Sequence, residues 1–172
     1  MSLTQEDNLL IQSYFTTAFL TELKNSDFLN SDCYKNLQFQ DEFVKENLPN
    51  VGIDNQGSLL IFLYTLLVIP KQLLENRFPD EFKELNVKLD TIKESANSTY
   101  RKDSNGIDYI RHIRNSVAHA RVSFDSNISV TFTDENNIGE ICTIVILLPK
   151  FGQFLAALQK VFMTYIEEIK NT

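Results

Sequence analysis

Both histidines of the chain, His112 and His119, lie seven residues apart in a stretch whose apolar residues recur at helical spacing. Because an α-helix turns by about 100° per residue, this separation places the second histidine almost beneath the first, roughly 10 Å away. Asp108 and Asn115 fall on the same side of the predicted helix. The polar stripe is therefore either the solvated face of an amphipathic helix or a cluster of side chains that move protons and bind a polar ligand.

Basic side chains surround both histidines. Arg111, Arg114 and Arg121 lie between Asp108 and Asp125, and no acidic residue interrupts that interval. The net charge of −7 counts against broad, sequence-independent binding of nucleic acid, so the positive charge is local. A cationic patch around the only side chains that titrate near neutral pH favours a site for an anionic substrate. The alternative is that the arginines pack their aliphatic stems beside the apolar stripe.

Residues 114–119 read Arg-Asn-Ser-Val-Ala-His, an arginine followed by a polar residue, three further residues and a histidine. This pattern resembles the signature of the HEPN superfamily (higher eukaryotes and prokaryotes nucleotide-binding). The stretch 110–120 looks like the motif helix of its prokaryotic ribonuclease members, and it falls late in the chain with a further helix after it, as in that family. The resemblance implies a metal-independent endoribonuclease, in which the motifs of two protomers meet at a cleft across a two-fold axis.

The resemblance also implies roles for the motif residues. His119 would act in general acid–base catalysis, helping the RNA 2′-hydroxyl to attack its own phosphodiester, and Arg114 would neutralise charge on the phosphate. Asn115 would position one of them, and the products would carry a 2′,3′-cyclic phosphate and a 5′-hydroxyl. We expect these three residues to be catalytic. The remaining basic residues of the helix are expected to bind RNA, namely Arg111, His112 and Arg121.

Two features predict a homodimer with a composite active site. Five residues on a helix place Arg114 and His119 about 140° apart, so a second copy across a two-fold axis is a natural way to bring them together. The run 59–69 is apolar around its whole circumference, which is typical of a central helix or a subunit interface. The expected partners are therefore RNA, a second copy of the chain, and an antitoxin or regulatory protein that controls the activity.

Other chemistry is less well supported. His112, His119 and Asp108 could bind a metal, but no His-x3-His pair or cysteine completes a familiar ligand set, so we expect no metal and no cofactor. Glycine-rich phosphate loops and GxSxG motifs are absent from the sequence. The runner-up hypothesis is a non-catalytic HEPN module that binds RNA, a nucleotide or a partner protein. A third is an enzyme of another class or a metal-binding helical protein.

The pattern of apolar residues predicts a mainly all-α fold over a single domain, residues 1–172. It is expected to be an HEPN-like bundle of five to six helices with one β-hairpin inserted before the C-terminal helix. Helices are predicted over 4–24, 33–47, 56–77 with a kink or break at Pro70, 79–96, 107–122, and from 149 onward, and the hairpin over 128–132 and 140–148, while 95–106 is expected to be a loop.

Composition and the N-terminal sequence bear on location. The longest apolar run is about half of the roughly 20 residues that a membrane span needs, and no basic segment precedes an apolar stretch at the N-terminus. Cys33 and Cys142 lack a CxxC partner, which is typical of a reducing compartment. The sequence therefore predicts a cytoplasmic protein without a membrane segment.

Overall fold

The computed structural model describes residues 4–70, 73–125 and 128–170. The chain divides into two compact units, one up to residue 62 and the other from residue 63 on. The described residues are mainly helical, as predicted. They form eight α-helices instead of five or six because two predicted helices are each divided in two. The single domain over 1–172 stays a prediction.

The first unit is built from helices alone. Its long helix α1, Gln5–Asn25, begins with a capping box in which Thr4 Oγ1 accepts from the backbone N–H of Asp7 at 3.0 Å and the Asp7 carboxylate accepts from the N–H of Thr4. The other helices are α2, α3 and α4, over Asp32–Asn36, Glu42–Val51 and Gln56–Leu63, the last of which extends by one residue into the second unit.

The second predicted helix ends at residue 47, but α3 continues beyond it and contains Pro49. A proline has no N–H to donate to the carbonyl four residues earlier, which here belongs to Lys45. The hydroxyl of Tyr34 donates to that carbonyl instead, at 2.8 Å, so the missing helical bond is replaced and the helix continues to Gly52. Gly52 then stops it in a left-handed conformation, with φ of 81°.

The second unit begins where the all-round apolar helix changes its winding. A π-helical segment, Tyr64–Val68, follows α4, and the N–H of Ile69 donates to the carbonyl of Tyr64, five residues back. The next helix, α5, spans Leu73–Arg77, so the predicted helix 56–77 is split as the proline at position 70 suggested; residues 71–72 lie outside the described part. Helices α6, α7 and α8 cover Pro79–Ile92, Tyr109–Ala118 and Leu148–Lys170.

A four-stranded antiparallel sheet replaces the single predicted hairpin. Strands β1, β2, β3 and β4 span Lys93–Ser98, Val122–Asp125, Ser129–Glu135 and Ile141–Leu147, in the order β1-β4-β3-β2. The hairpin β3–β4 was expected. The edge strands were not: β1 reads Lys-Glu-Ser-Ala-Asn-Ser, with low β-propensity and no apolar alternation, and β2 has only four residues. Both are strands because a neighbouring strand supplies their hydrogen bonds.

The core of the second unit lies between the sheet and its helices. One face of β3 and β4 is fully buried through alternate residues, and Phe132 stacks on Phe151 of α8 with ring centroids 6.0 Å apart. The apolar stripe of α8 is buried as predicted, and the helix starts one residue earlier than expected, at Leu148. The motif helix α7 packs on β3 through this same core, which places its polar residues next to the sheet.

Within the described residues, no single helix is both long and apolar enough to cross a membrane. Helix α3 and the segment Gln56–Val68 reach that composition only when they are taken together as a bent pair.

Candidate active site

The motif helix α7 is shorter than the sequence suggested. Asp108 caps its N-terminus, where Oδ1 accepts from the N–H of Arg111 at 3.1 Å. The helix ends at Ala118 and not at residue 122, because Ala120 adopts a left-handed conformation with φ of 54° and the N–H of Arg121 turns back to the carbonyl of Ser116. His119 is therefore the C-terminal cap of the helix.

The two ends of the motif have different surroundings. His119 is exposed at the end of α7. Arg114 lies one and a half turns earlier, its side chain is only 11% exposed, and Nη1 lies 3.2 Å from Oε2 of Glu75 on α5. The buried Nε atom of Arg114 finds no hydrogen-bond partner among the described residues. Within the described parts of the chain, Arg114 makes its ion pair with Glu75, and no hydrogen bond joins it to His119.

Asn115, the polar residue of the motif, is half-buried and faces the sheet. Its Nδ2 donates to Oδ2 of Asp134 at 3.1 Å. Residue 134 falls between the two predicted strands of the hairpin, but Asp134 lies near the end of β3. There the alternation of Val130 and Phe132 continues and places it on the buried face. A carboxylate at a core-facing strand position needs buried partners, and Asn115 is one of them.

His112 is fully buried, with 0% of its surface exposed, so it does not lie on the solvated face that the helical stripe suggested. Its Nδ1 lies 2.7 Å from Oδ2 of Asp134, and its Nε2 lies 2.8 Å from Oδ2 of Asp103. The ring of Tyr100 covers it with a centroid separation of 4.7 Å. The expected contact of His112 with RNA requires an exposed side chain, and the covering sheet and Tyr100 remove that exposure.

Arg111 completes this buried group. Its Nη2 donates to Oδ1 of Asp103 at 2.7 Å and lies 2.9 Å from Nε2 of His112, and its guanidinium lies over the ring of Tyr100. We call Tyr100, Asp103, Arg111, His112 and Asp134 the buried ionic cluster. Its two carboxylates face one guanidinium and one imidazole, so each buried carboxylate has hydrogen-bond partners.

The pKa values of the cluster reflect its packing. Burial alone would raise the pKa of Asp103, but hydrogen bonds from Ser98 and His112 and the charges of His112 and Arg111 outweigh it and lower that pKa. Burial, together with the charge of Asp134, raises the pKa of Tyr100 to about 12. Burial likewise raises the pKa of the Cys142 thiol to about 11, so at neutral pH it is a protonated thiol and a poor nucleophile.

Three neighbouring side chains are of types that bind metal ions. One potential ligand atom each from Asp103, His112 and Cys142 lies within 4.8 Å of the others. However, Nε2 of His112 and Oδ2 of Asp103 are only 2.8 Å apart, the separation of a hydrogen bond, whereas two ligands of a tetrahedral zinc are about 3.3 Å apart. The guanidinium of Arg111 already supplies a positive charge to two of the three groups. The geometry therefore fits an ion-pair cluster and not a cation site.

Of the other residues expected to bind RNA, Arg121 is exposed just beyond the motif helix, where its Nη1 donates to the carbonyl of Glu135 at 2.8 Å. Arg111 is mostly buried in the cluster. Sequence analysis did not identify Glu75, Asp103 or Asp134. For Asp134 a signal was present in the period-two pattern of β3, but Glu75 and Asp103 come from distant segments that carry none.

Comparison with known proteins gives one match. A family model described as HEPN pEK499 p136 matches residues 1–169, nearly the whole chain and both compact units. No curated protein and no solved structure matches the chain.

Proposed function

Because the chain belongs to the HEPN pEK499 p136 family, we propose that it is a metal-independent endoribonuclease that cuts RNA to 2′,3′-cyclic phosphate and 5′-hydroxyl ends. Membership in this family suggests a nuclease or a nucleotide-binding module. The observation that favours the nuclease is the placement of His119. It caps the motif helix and is exposed, so its imidazole is accessible to a polynucleotide, while the other histidine of the helix is buried.

The proposed chemistry follows from the side chains. His119 takes the proton of the RNA 2′-hydroxyl as the oxygen attacks the adjacent phosphorus, and the imidazolium formed in this way gives its proton to the departing 5′-oxygen as the P–O5′ bond breaks. Arg114 stabilises the charge that develops on the phosphate through its planar N–H donors. Within the described part of the chain, the Nε of Arg114 donates to no acceptor, and a phosphate oxygen would compete with Glu75 for its Nη1. Asn115 orients one of the reacting groups.

A second copy of the chain is proposed to complete this site. Arg114 is directed toward α5 and is mostly covered, whereas His119 is exposed beyond the end of α7. Because one helix points the two side chains in different directions, a two-fold axis near the motif would place the histidine of one protomer beside the arginine of its partner. Arg121, exposed near His119, is proposed to contact the RNA backbone.

The proposed biological role is that of a cytoplasmic toxin or defence nuclease held in check by an antitoxin or another regulatory partner. A net charge of −7 disfavours indiscriminate binding of RNA, which fits an enzyme that acts at one local site or under control.

A direct test is to incubate purified protein with total RNA in EDTA. The wild type and Lys160→Ala, which removes an exposed cation on α8, should cut equally, whereas His119→Ala should not. End analysis should give 2′,3′-cyclic phosphates. Cutting by His119→Ala at the wild-type rate, or loss of cutting on chelation, would contradict the proposal.

The second candidate function is a HEPN module that binds RNA, a nucleotide or a partner protein without cutting. The pairing of Arg114 with Glu75 favours it, because a carboxylate already occupies part of the guanidinium that would act on phosphate. Filter binding separates the two candidates: the wild type would retain RNA that stays intact, and His119→Ala would retain it equally well.

A further inference from the structure

Asp134 contacts two donors of the motif helix through one oxygen atom. Its Oδ2 lies 2.7 Å from Nδ1 of His112 and 3.1 Å from Nδ2 of Asn115. These two residues are three apart and share a face of α7. The Asp134 side chain is 5% exposed, so water competes little for either bond. A single carboxylate of the sheet therefore engages the face of the helix that carries the motif's polar residue.

We infer that Asp134 is a positioning residue of the proposed RNA-cleaving site, and that it acts by fixing the amide of Asn115. The inference rests on the proposed function. A carboxylate only accepts hydrogen bonds, so Asn115 must turn its NH₂ toward Asp134, since the opposite orientation would face two acceptors. Oδ1 of Asn115 is thereby directed away from Asp134 as an acceptor. The site consequently offers an acceptor that orients an N–H or O–H group.

His112 keeps Asp134 in place. Its ring lies between Asp134 and Asp103, with a carboxylate oxygen within hydrogen-bond distance of each nitrogen. Arg111, whose Nη2 donates to Oδ1 of Asp103, holds that second carboxylate beside the ring. Rotation of Asp134 away from α7 would leave a buried donor of His112 unpaired. The buried ionic cluster thus fixes the rotamer of Asp134, and Asp134 in turn fixes Asn115.

A double-mutant cycle distinguishes this role from a general contribution to folding. We would measure kcat and KM on a fluorogenic oligoribonucleotide for wild type, Asp134→Asn, Asp134→Ala, Asn115→Ala and the corresponding double variants. Asp134→Ala should lower kcat about tenfold or more, with KM changed by less than about twofold. Asp134→Asn keeps an acceptor without the charge, so its kcat should lie between those of wild type and Asp134→Ala. Neither change should lower kcat further when Asn115 is already alanine.

Controls keep the cycle interpretable. Val130→Ala, on the same strand and fully buried, should lower the melting temperature while leaving kcat unchanged below it. If Asp134→Ala does not fold, the cycle built on Asp134→Asn decides alone. The Asp134 substitution could lower kcat by the same factor in wild type and in Asn115→Ala. That result would overturn the inference, because the carboxylate would then act independently of the amide.

A readout that needs no activity separates the inference from the proposed function. The side-chain NH₂ resonances of Asn115, assigned by their absence in Asn115→Ala, should exchange slowly with water in wild type and rapidly in Asp134→Ala. Slow exchange in a protein that cuts no RNA would show that the contact between Asp134 and Asn115 exists, and would contradict only the proposed function. Rapid exchange in an active wild-type enzyme would contradict the positioning role.

Discussion

The two histidines of the motif helix lie seven residues apart, and the structure places them in opposite environments. His112 is fully buried between two carboxylates under the sheet, and His119 is exposed at the C-terminal cap. His112 is covered because Asp134 of β3, Asp103 and the ring of Tyr100 lie against it. The polar stripe predicted for the helix is therefore divided into two regions in the folded chain. The buried region around His112 holds the helix against the sheet, and the exposed region at His119 is accessible to a substrate.

The largest effect is expected at the two residues proposed to be catalytic, His119 and Arg114. His119→Ala and Arg114→Ala should each lower RNA cleavage by about 10²–10⁴-fold, because one removes a proton carrier and the other a phosphate donor. The double variant should be scarcely worse than either single variant, since residues that act as one unit are strongly non-additive. Single-turnover kinetics measure this. Multiplicative losses in the double variant would show that the two residues act separately.

His119→Ala should leave stability nearly unchanged, within about 0.5 kcal/mol, as an exposed substitution does. His112→Ala tests the opposite region. It would leave Asp103 and Asp134 as buried carboxylates without their shared partner, so we expect it to lower the free energy of unfolding by about 3–5 kcal/mol. Urea unfolding followed by circular dichroism measures both variants. Equal stability of His112→Ala and His119→Ala would remove the distinction between the two regions.

The acid stability of the protein should depend on Asp103. Its pKa is lowered in the folded state from an ordinary value of 3.8, so folding favours the charged form. The resulting stability is fully present above that ordinary value and is lost as the pH falls through the lower folded value. Urea midpoints measured from pH 7 down to pH 2 should fall less steeply in Asp103→Asn than in wild type. Equal slopes in Asp103→Asn and wild type would show that Asp103 does not contribute to the acid stability.

The smallest effect is expected at the boundary of the exposed region. Ala120 holds a left-handed backbone conformation that costs an L-residue about 1 kcal/mol, and glycine adopts it freely. Ala120→Gly should therefore stabilise the protein by about 1 kcal/mol. The matched substitution Ala118→Gly, two residues earlier and still helical, should destabilise it by a similar amount. Differential scanning calorimetry measures both variants. Stability changes of the same sign would show that the turn after His119 is not strained.

Several elements of the fold could be predicted from local pattern. Helix α8 was predicted from its apolar stripe, the hairpin β3–β4 from its period-two alternation, and the start of α1 from its capping residues. These signals are local, because a periodic apolar face or a cap is encoded in neighbouring residues. The edge strands β1 and β2 carry no comparable signal, since their pairing depends on β4 and β3.

The sequence by itself determined the chemistry available at the site. It placed an arginine, an amide and two histidines on one helix, and the resemblance it carries led to the family that the chain belongs to. Only the tertiary structure decided which histidine is accessible. Burial depends on what packs over a residue. Here a strand and a short 3₁₀-helix, Arg101–Asp103, bring Asp134 and Asp103 to His112 and leave His119 exposed.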